Sequence, residues 1–279
     1  MRRRLPHRGA RLIPLEIPAS GTLFEGHFPG RPILPGVGLL DLALRALPAG
    51  PGTAGLRAVD LLRLRSIVVP GERLALEATP PGPDGEVRLE VRRGSEVVAS
   101  GTLKLGDPGG PSPVGGATAG AAGVPSAAAG VPHLDRLLPH RATMRLVAAV
   151  ESEPDDGIVC AARVPAGSPF AANGTAPALV AIEMAAQAAA VFEALRRFRA
   201  SGGESDSAID AAGPRIGYLV GARGVRFLAA RIPAGAVCQV AIHLAGLAGP
   251  LSTYRFDVDR GGDPVAVGSV STWITATAA

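Results

Sequence analysis

The chain is poor in the features that mark several protein classes. It has two cysteines in 279 residues, Cys160 and Cys238, with no metal-type spacing. That excludes a disulfide-stapled mini-fold and a zinc ribbon, and leaves two thiols expected to stay reduced and inert. Aromatic residues are only 4% of the chain, and no Lys/Arg stripe is interleaved with them. The net charge is a modest +4 although the calculated pI is about 9.8. A mild positive bias suits an acidic partner but falls short of a nucleic-acid footprint. No apolar run is long and unbroken: residues 164–182 are uncharged but carry Pro, Asn and Gly, and the basic opening MRRRLPHRGARL has no apolar core behind it. No membrane span and no signal peptide are therefore expected, and the reading is cytoplasmic.

What is present is a globular balance, 47% hydrophobic and 19% charged, in a chain long enough for two ordinary cores. Residues 106–131, GDPGGPSPVGGATAGAAGVPSAAAGV, cannot bury a core and read as a flexible tether between modules 1–105 and 132–279. The modules resemble each other. RLRSIVVPGERLALEATPP and RRGSEVVASGTLKL in the first answer to GVRFLAARIPAGAVCQVAIHL and DRGGDPVAVGSVSTWI in the second. Each gives alternating strands around a Pro/Gly turn, then a Gly-punctuated hairpin. Upstream, each has a Pro-opened, almost uniformly apolar helix, PGVGLLDLALRAL and PALVAIEMAAQAAAVFEALRRFR. An apolar circumference implies a buried helix, so the expected architecture is one buried helix wrapped by antiparallel strands, made twice.

Two polar positions stand out. From Pro177 to Phe192 the only polar side chains are Glu183 and Gln187, four apart and on one helix face. Desolvation is expected to push the Glu183 carboxyl upward, making it a neutral proton donor; the alternative is a solvent notch where the two bond each other. The equivalent positions of the first helix, Asp41 and Arg45, are spaced for a self-satisfying ion pair. His27 lies in GHFPGRPILPG, stiffened by Pro29, Pro32 and Pro35 and given room by Gly26 and Gly36. A ring held this way is pre-organised for acid–base work. His7, His133 and His140 are read as structural, and His243 alternates within a strand and carries no further signal.

The stretch GHFPGRPILPGVGLLD, with Asp41 fourteen residues after His27, closely resembles the signature of hotdog-fold 3-hydroxyacyl-[acyl-carrier-protein] dehydratases. LFEGHFPGRPILPGVGLLDLA resembles the smaller dehydratase of aryl-polyene-type pathways. LLPHRATMRLV, PFAANGTAPALVAIEMAAQAA and GYLVGARGVRF resemble its partner subunit. The resemblance implies a double hotdog, an α+β fold of two antiparallel sheets each wrapped around a central helix and packed as a pseudo-dimer. It implies a site at the seam, with the histidine from one module and the carboxylate from the other. Counting back fourteen from Glu183 lands on Pro169, so the second module has lost the histidine. One competent site is expected, His27 with Glu183, and one degenerate site, Asp41 with Pro169.

The implied reaction is elimination of water from (3R)-3-hydroxyacyl thioesters to trans-2-enoyl thioesters, in fatty-acid, aryl-polyene or polyketide biosynthesis. His27 would be the base, Glu183 the acid, Gly36 an N–H donor at a helix start and Gln187 an orienting group. No cofactor or metal is called for. The implied partners are an acyl carrier protein and possibly the ketosynthase and ketoreductase of the same pathway, with a homo-oligomer also possible. Arg223, Arg226 and Arg231 are candidate docking residues for the carrier, or a solvated basic face. A thioesterase and a non-catalytic carrier-binding scaffold are the competing readings. The dehydratase reading requires His27 and Glu183 to lie within about 7 Å of each other, close enough for direct or water-bridged cooperation.

Overall fold

Alternating burial along the strand segments decides the layer structure. In Glu86–Arg93 the apolar side chains Val87, Leu89 and Val91 are buried while Arg88 between them is exposed. Such a period-two pattern buries one face of a sheet. The computed structural model describes residues 11–47, 55–107, 133–200 and 215–276. Of the expected tether 106–131, all but Gly106 and Asp107 lies outside the described residues, as does His7.

The first half supplies β1 (Arg11–Glu16), α1 (Gly36–Ala46), β2 (Leu56–Leu64), β3 (Arg73–Ala78), β4 (Glu86–Arg93) and β5 (Glu96–Leu105). The second supplies a short α2 (Leu134–Leu137), β6 (Val147–Ser152), β7 (Gly157–Ala162), β8 (Thr175–Pro177) and α3 (Val180–Ala200). It continues with β9 (Arg215–Phe227), β10 (Arg231–Pro233), β11 (Cys238–Ala248), β12 (Leu251–Arg260) and β13 (Asp263–Ala276). Eleven strands form one antiparallel sheet in the order β1-β3-β4-β5-β2-β9-β13-β12-β11-β7-β6. β8 and β10 make a separate two-stranded ladder.

The order carries the expected repeat. β1-β3-β4-β5-β2 has the same sequence logic as β7-β11-β12-β13-β9, with β6 added outside, and each set holds its helix before its last-placed strand. The halves join where β2 pairs with β9, Ala58 opposite Arg226 and Leu62 opposite Ala222. Two helices, each under one half of a continuous sheet, form the double hotdog anticipated from the motifs.

The helices are buried as their composition requires. Along α3, Val180, Ala181, Ile182, Met184, Ala185, Ala188, Ala189 and Val191 are fully enclosed. α3 begins at Val180 rather than at Pro177, because Thr175–Pro177 is committed to the ladder with Arg231–Pro233. α1 spans 11 residues against 21 for α3, and Arg45 caps the pattern by bonding Asp41 at 2.7 Å. Cys160 and Cys238, on adjacent strands, are free buried thiols. Burial pushes their pKa values up to about 12 and about 11, so both stay unreactive, as expected.

Candidate active site

His27 is pinned on every side by its own loop. Its backbone N–H donates to Phe24 O (3.1 Å) and its carbonyl accepts from Ile33 N–H (2.9 Å). Its ring Nδ1 lies 3.1 Å from Ile33 O. A carbonyl only accepts, so Nδ1 carries the proton and Nε2 is left with a lone pair. The ring stacks on Phe28 at 4.3 Å between centroids. Burial, reinforced by the neighbouring His140, lowers the His27 pKa to about 4. His27 is therefore neutral at neutral pH, in the tautomer that a base requires.

Glu183 arrives from the first turn of α3, beneath the sheet of the other half. It is 3% exposed. Gln187 Nε2 donates to Glu183 Oε1 at 3.0 Å and to Met144 O at 2.8 Å, while its Oε1 accepts from Leu146 N–H at 2.8 Å. One amide thus ties the helix to the 138–146 loop and holds the carboxyl. The helix turn that Glu183 and Gln187 share makes them neighbours, and the solvent-notch alternative does not apply to side chains this deep.

The expected partner is present, and so is one that was not anticipated. Polar atoms of His27, His140 and Glu183 all lie within 4.8 Å of one another, inside the 7 Å requirement. His140 Nε2 is 3.3 Å from Glu183 Oε1, and its ring meets Phe28 edge-on at 4.9 Å. His140 is thus part of the site and not a remote structural residue. It also changes the expected charge of Glu183. Burial is the largest single influence and pushes the carboxyl up. The bond and charge of His140, with the charge of His27 and the Gln187 bond, outweigh it and hold Glu183 below the usual carboxylate range. The neutral carboxylic acid expected from the apolar helix is corrected accordingly.

The loops carrying the two histidines are stapled to each other. Arg141 N–H donates to Gly26 O at 3.0 Å. Gly26 has φ +84°, and a Cβ there would sit 2.1 Å from Arg141 O. Only glycine permits this approach. Arg141 is itself braced by its guanidinium on Leu138 O, His140 O and Asp135 O.

These groups face a cavity of about 400 Å³, bounded by Gly36 and Leu39 of α1, by Ala186 and Ala190 of α3, and by Tyr218 and Trp273 of the sheet. Neither Asp41 nor Pro169 borders it. Asp41 spends one oxygen on Arg45, and its other oxygen is buried without a hydrogen-bond partner. Arg223 and Arg226 are exposed on β9, whereas Arg231 bonds the Thr175 hydroxyl and, at 3.1 Å, its carbonyl. His243 sits 3.3 Å from Asp156 at the surface, away from the cavity. Among the described residues no helix is long and apolar enough to cross a membrane.

Comparison with known proteins gives the family and the fold. Residues 132–278 match the ApeP-like family, described as ApeP dehydratase, and residues 7–102 match the ApeI-like family, described as ApeI dehydratase. The chain is 32% identical over 107 residues to the 3-hydroxyacyl-[acyl-carrier-protein] dehydratase FabZ of Desulforamulus reducens, covering 34% of this chain and 75% of that protein. It is 30% identical over 130 residues to the FabZ of Caldanaerobacter subterraneus subsp. tengcongensis, covering 38% and 86%. In fold it is similar to the dehydratase domain of PpsC from Mycobacterium tuberculosis in complex with C12:1-CoA. That match has a TM-score of 0.63 and 18% identity, over 95% of this chain and 94% of the other.

Proposed function

The chain belongs to the ApeP-like dehydratase family, and from that premise we propose that it eliminates water from 3-hydroxyacyl-[acyl-carrier-protein] thioesters at a single composite site. His27 Nε2 takes the proton next to the thioester carbonyl. Glu183 delivers a proton to the departing 3-hydroxyl. Charge that develops on the thioester oxygen meets the N-terminus of α1, where Gly36 borders the cavity and the first N–H groups have no acceptor within the helix. Gln187 keeps Glu183 aimed at the cavity.

The observation that carries this reading is the meeting of His27 with Glu183 across the seam, within 4.8 Å, in one cavity. A base and an acid close together in one cavity suit removal of a proton and a hydroxide from adjacent carbons. The second pairing, Asp41 with Pro169, lacks a base and takes no part. In this reading modules 1–105 and 132–279 are the two halves of the pseudo-dimer and 106–131 is their tether. The acyl chain lies between α3 and the sheet, over Ala186 and Ala190. The acidic carrier protein docks on the exposed Arg223 and Arg226, and Arg231 supports the Thr175 turn instead. The substrate comes from a reduction of 3-ketoacyl thioesters, the reaction class that makes 3-hydroxyacyl groups.

The test is a product assay with a 3-hydroxyacyl thioester. Enoyl thioester is expected; free acid and free thiol would make the protein a thioesterase, and no turnover would make it a scaffold. Asp41→Asn should leave the rate within about threefold, since Asp41 lies outside the cavity that His27 and Glu183 share.

The acid side of the pH profile is a second check. His27 must be neutral to act, and its pKa of about 4 replaces the ordinary value of 6.5. kcat/KM should therefore hold level from pH 7 down to about 5 and fall only below that, because this parameter reports the free enzyme. A fall centred near pH 6.5 would place the base in an open, solvated setting and contradict the geometry.

A further inference from the structure

His140 has no role in the reaction as written, yet it is 4% exposed and its Nε2 is 3.3 Å from Glu183 Oε1. Its second ring nitrogen, Nδ1, is buried with no hydrogen-bond partner. This contrasts with His27, whose Nδ1 is fixed by Ile33 O. Most buried polar side-chain atoms are hydrogen-bonded, so an unpartnered ring nitrogen beside a buried carboxylate calls for an explanation. Among the described residues, the direct polar contact of the His140 ring is with Glu183.

The site also has a supply problem. Glu183 is to give up a proton, but its surroundings favour the carboxylate. We infer that His140 is a positioning residue that stores the proton Glu183 delivers. The inference rests on the dehydratase reading above and deepens it.

The protons balance. In the resting site one proton resides on the His140–Glu183 pair and His27 is neutral. The α C–H bond breaks with its proton going to His27 Nε2, and its electron pair forms the new double bond as the C–O bond breaks. The departing hydroxide takes a proton from Glu183, which draws it from His140 across their 3.3 Å contact, and water forms. His27 is now protonated and the pair is empty. Return of that proton across a cluster no wider than 4.8 Å restores the starting state without exchange with bulk solvent.

The groups that face His140 are few. His27 comes from the segment before α1 and Glu183 from α3, with Phe28 against the ring edge. Arg65, Glu193, Arg197 and Tyr218 border the same cavity. Among the described residues only Glu183 makes direct polar contact with the ring, so the stored proton is exchanged with the carboxyl that needs it.

The experiment uses the full chain with His140→Gln, which keeps a neutral donor in place of the ring N–H, and His140→Asn as a second variant. Turnover of a 3-hydroxyacyl thioester is followed across pH, and the Glu183 carboxyl is titrated by carbon NMR in the resting protein. In the variants kcat should fall about 10- to 100-fold at pH 8 with KM within about threefold, consistent with a partial loss of acid catalysis. The alkaline fall-off should begin at lower pH than in the wild type, and the deficit should shrink as the pH is lowered. Glu183 should titrate at higher pH in the variants, because burial then acts unopposed by His140. A uniform loss at every pH, an unchanged profile, or an unchanged Glu183 titration would each overturn the inference while leaving the dehydratase reading standing. A wild type that does not dehydrate the thioester at any pH would overturn both.

Discussion

His27→Asn and Glu183→Gln should each lower turnover of a 3-hydroxyacyl thioester by about 10²–10⁴-fold, the usual worth of one positioned acid or base. Asparagine keeps a donor near Ile33 O, where the His27 ring is anchored, but has no basic nitrogen. Glutamine keeps the shape of the carboxyl and an acceptor for Gln187 Nε2, 3.0 Å away, but cannot deliver a proton. Both substitutions change chemistry more than packing, so the thermal midpoint should move little against the loss of rate. The double variant should be scarcely worse than the weaker single one, because two groups that serve one transition state do not act additively. Multiplicative losses, or a residual rate within tenfold of wild type in either single variant, would place the chemistry elsewhere.

Gly26→Ala should be the most damaging change outside the reacting groups. The added Cβ would lie 2.1 Å from Arg141 O and 2.8 Å from Arg141 C, both backbone atoms that cannot swing away. The residue must also keep φ +84°, which alanine adopts reluctantly. Relief comes only by parting the two loops, and the residues next in line are His27 on one side and His140 on the other. A shift of about 1 Å in a reacting group costs about 10²-fold in rate. Overpacking adds about 1–3 kcal/mol of instability, a fall of several degrees in a chain of this size. Measurement of kcat and of the melting midpoint together would show both. Gly30 is the control: it also has positive φ, +74°, but a Cβ there meets nothing within 4 Å. Gly30→Ala should therefore carry the backbone strain without the clash.

The fold was legible in the sequence to the extent that its signals are local. Alternation in Glu86–Arg93, turns around Gly71 and Gly235, and a helix whose only polar side chains up to Phe192 are Glu183 and Gln187 are properties of adjacent residues, and they appear where expected. The start of α3 was displaced by three residues because the claim on Thr175–Pro177 comes from Arg231–Pro233, more than 50 positions away. The site was half legible for the same reason. His27 announces itself through the prolines and glycines around it, and Glu183 through its apolar setting. His140 carries no such local mark. LPHR occurs at 5–8 and again at 138–141, and only the folded chain shows that the second copy meets α3. Two signals point to it: His140 lies within LLPHRATMRLV, one of the stretches that carry the resemblance, and Gln187 needs partners, which Met144 O and Leu146 N–H supply just after His140. The charge of Glu183 is hidden from the local sequence for the same reason, since burial alone favours the neutral acid and His140 reverses it.

The ladder between β2 and β9 has a kinetic meaning. Because His27 and Glu183 are borne by one polypeptide whose halves are held in register by main-chain hydrogen bonds, their encounter is an intramolecular event. A catalytic centre assembled from two separate subunits empties as those subunits are diluted below their dissociation constant. Here the complementary half travels with its mate, so each molecule keeps both His27 and Glu183 at any dilution, and a lesion in one half stays with its chain.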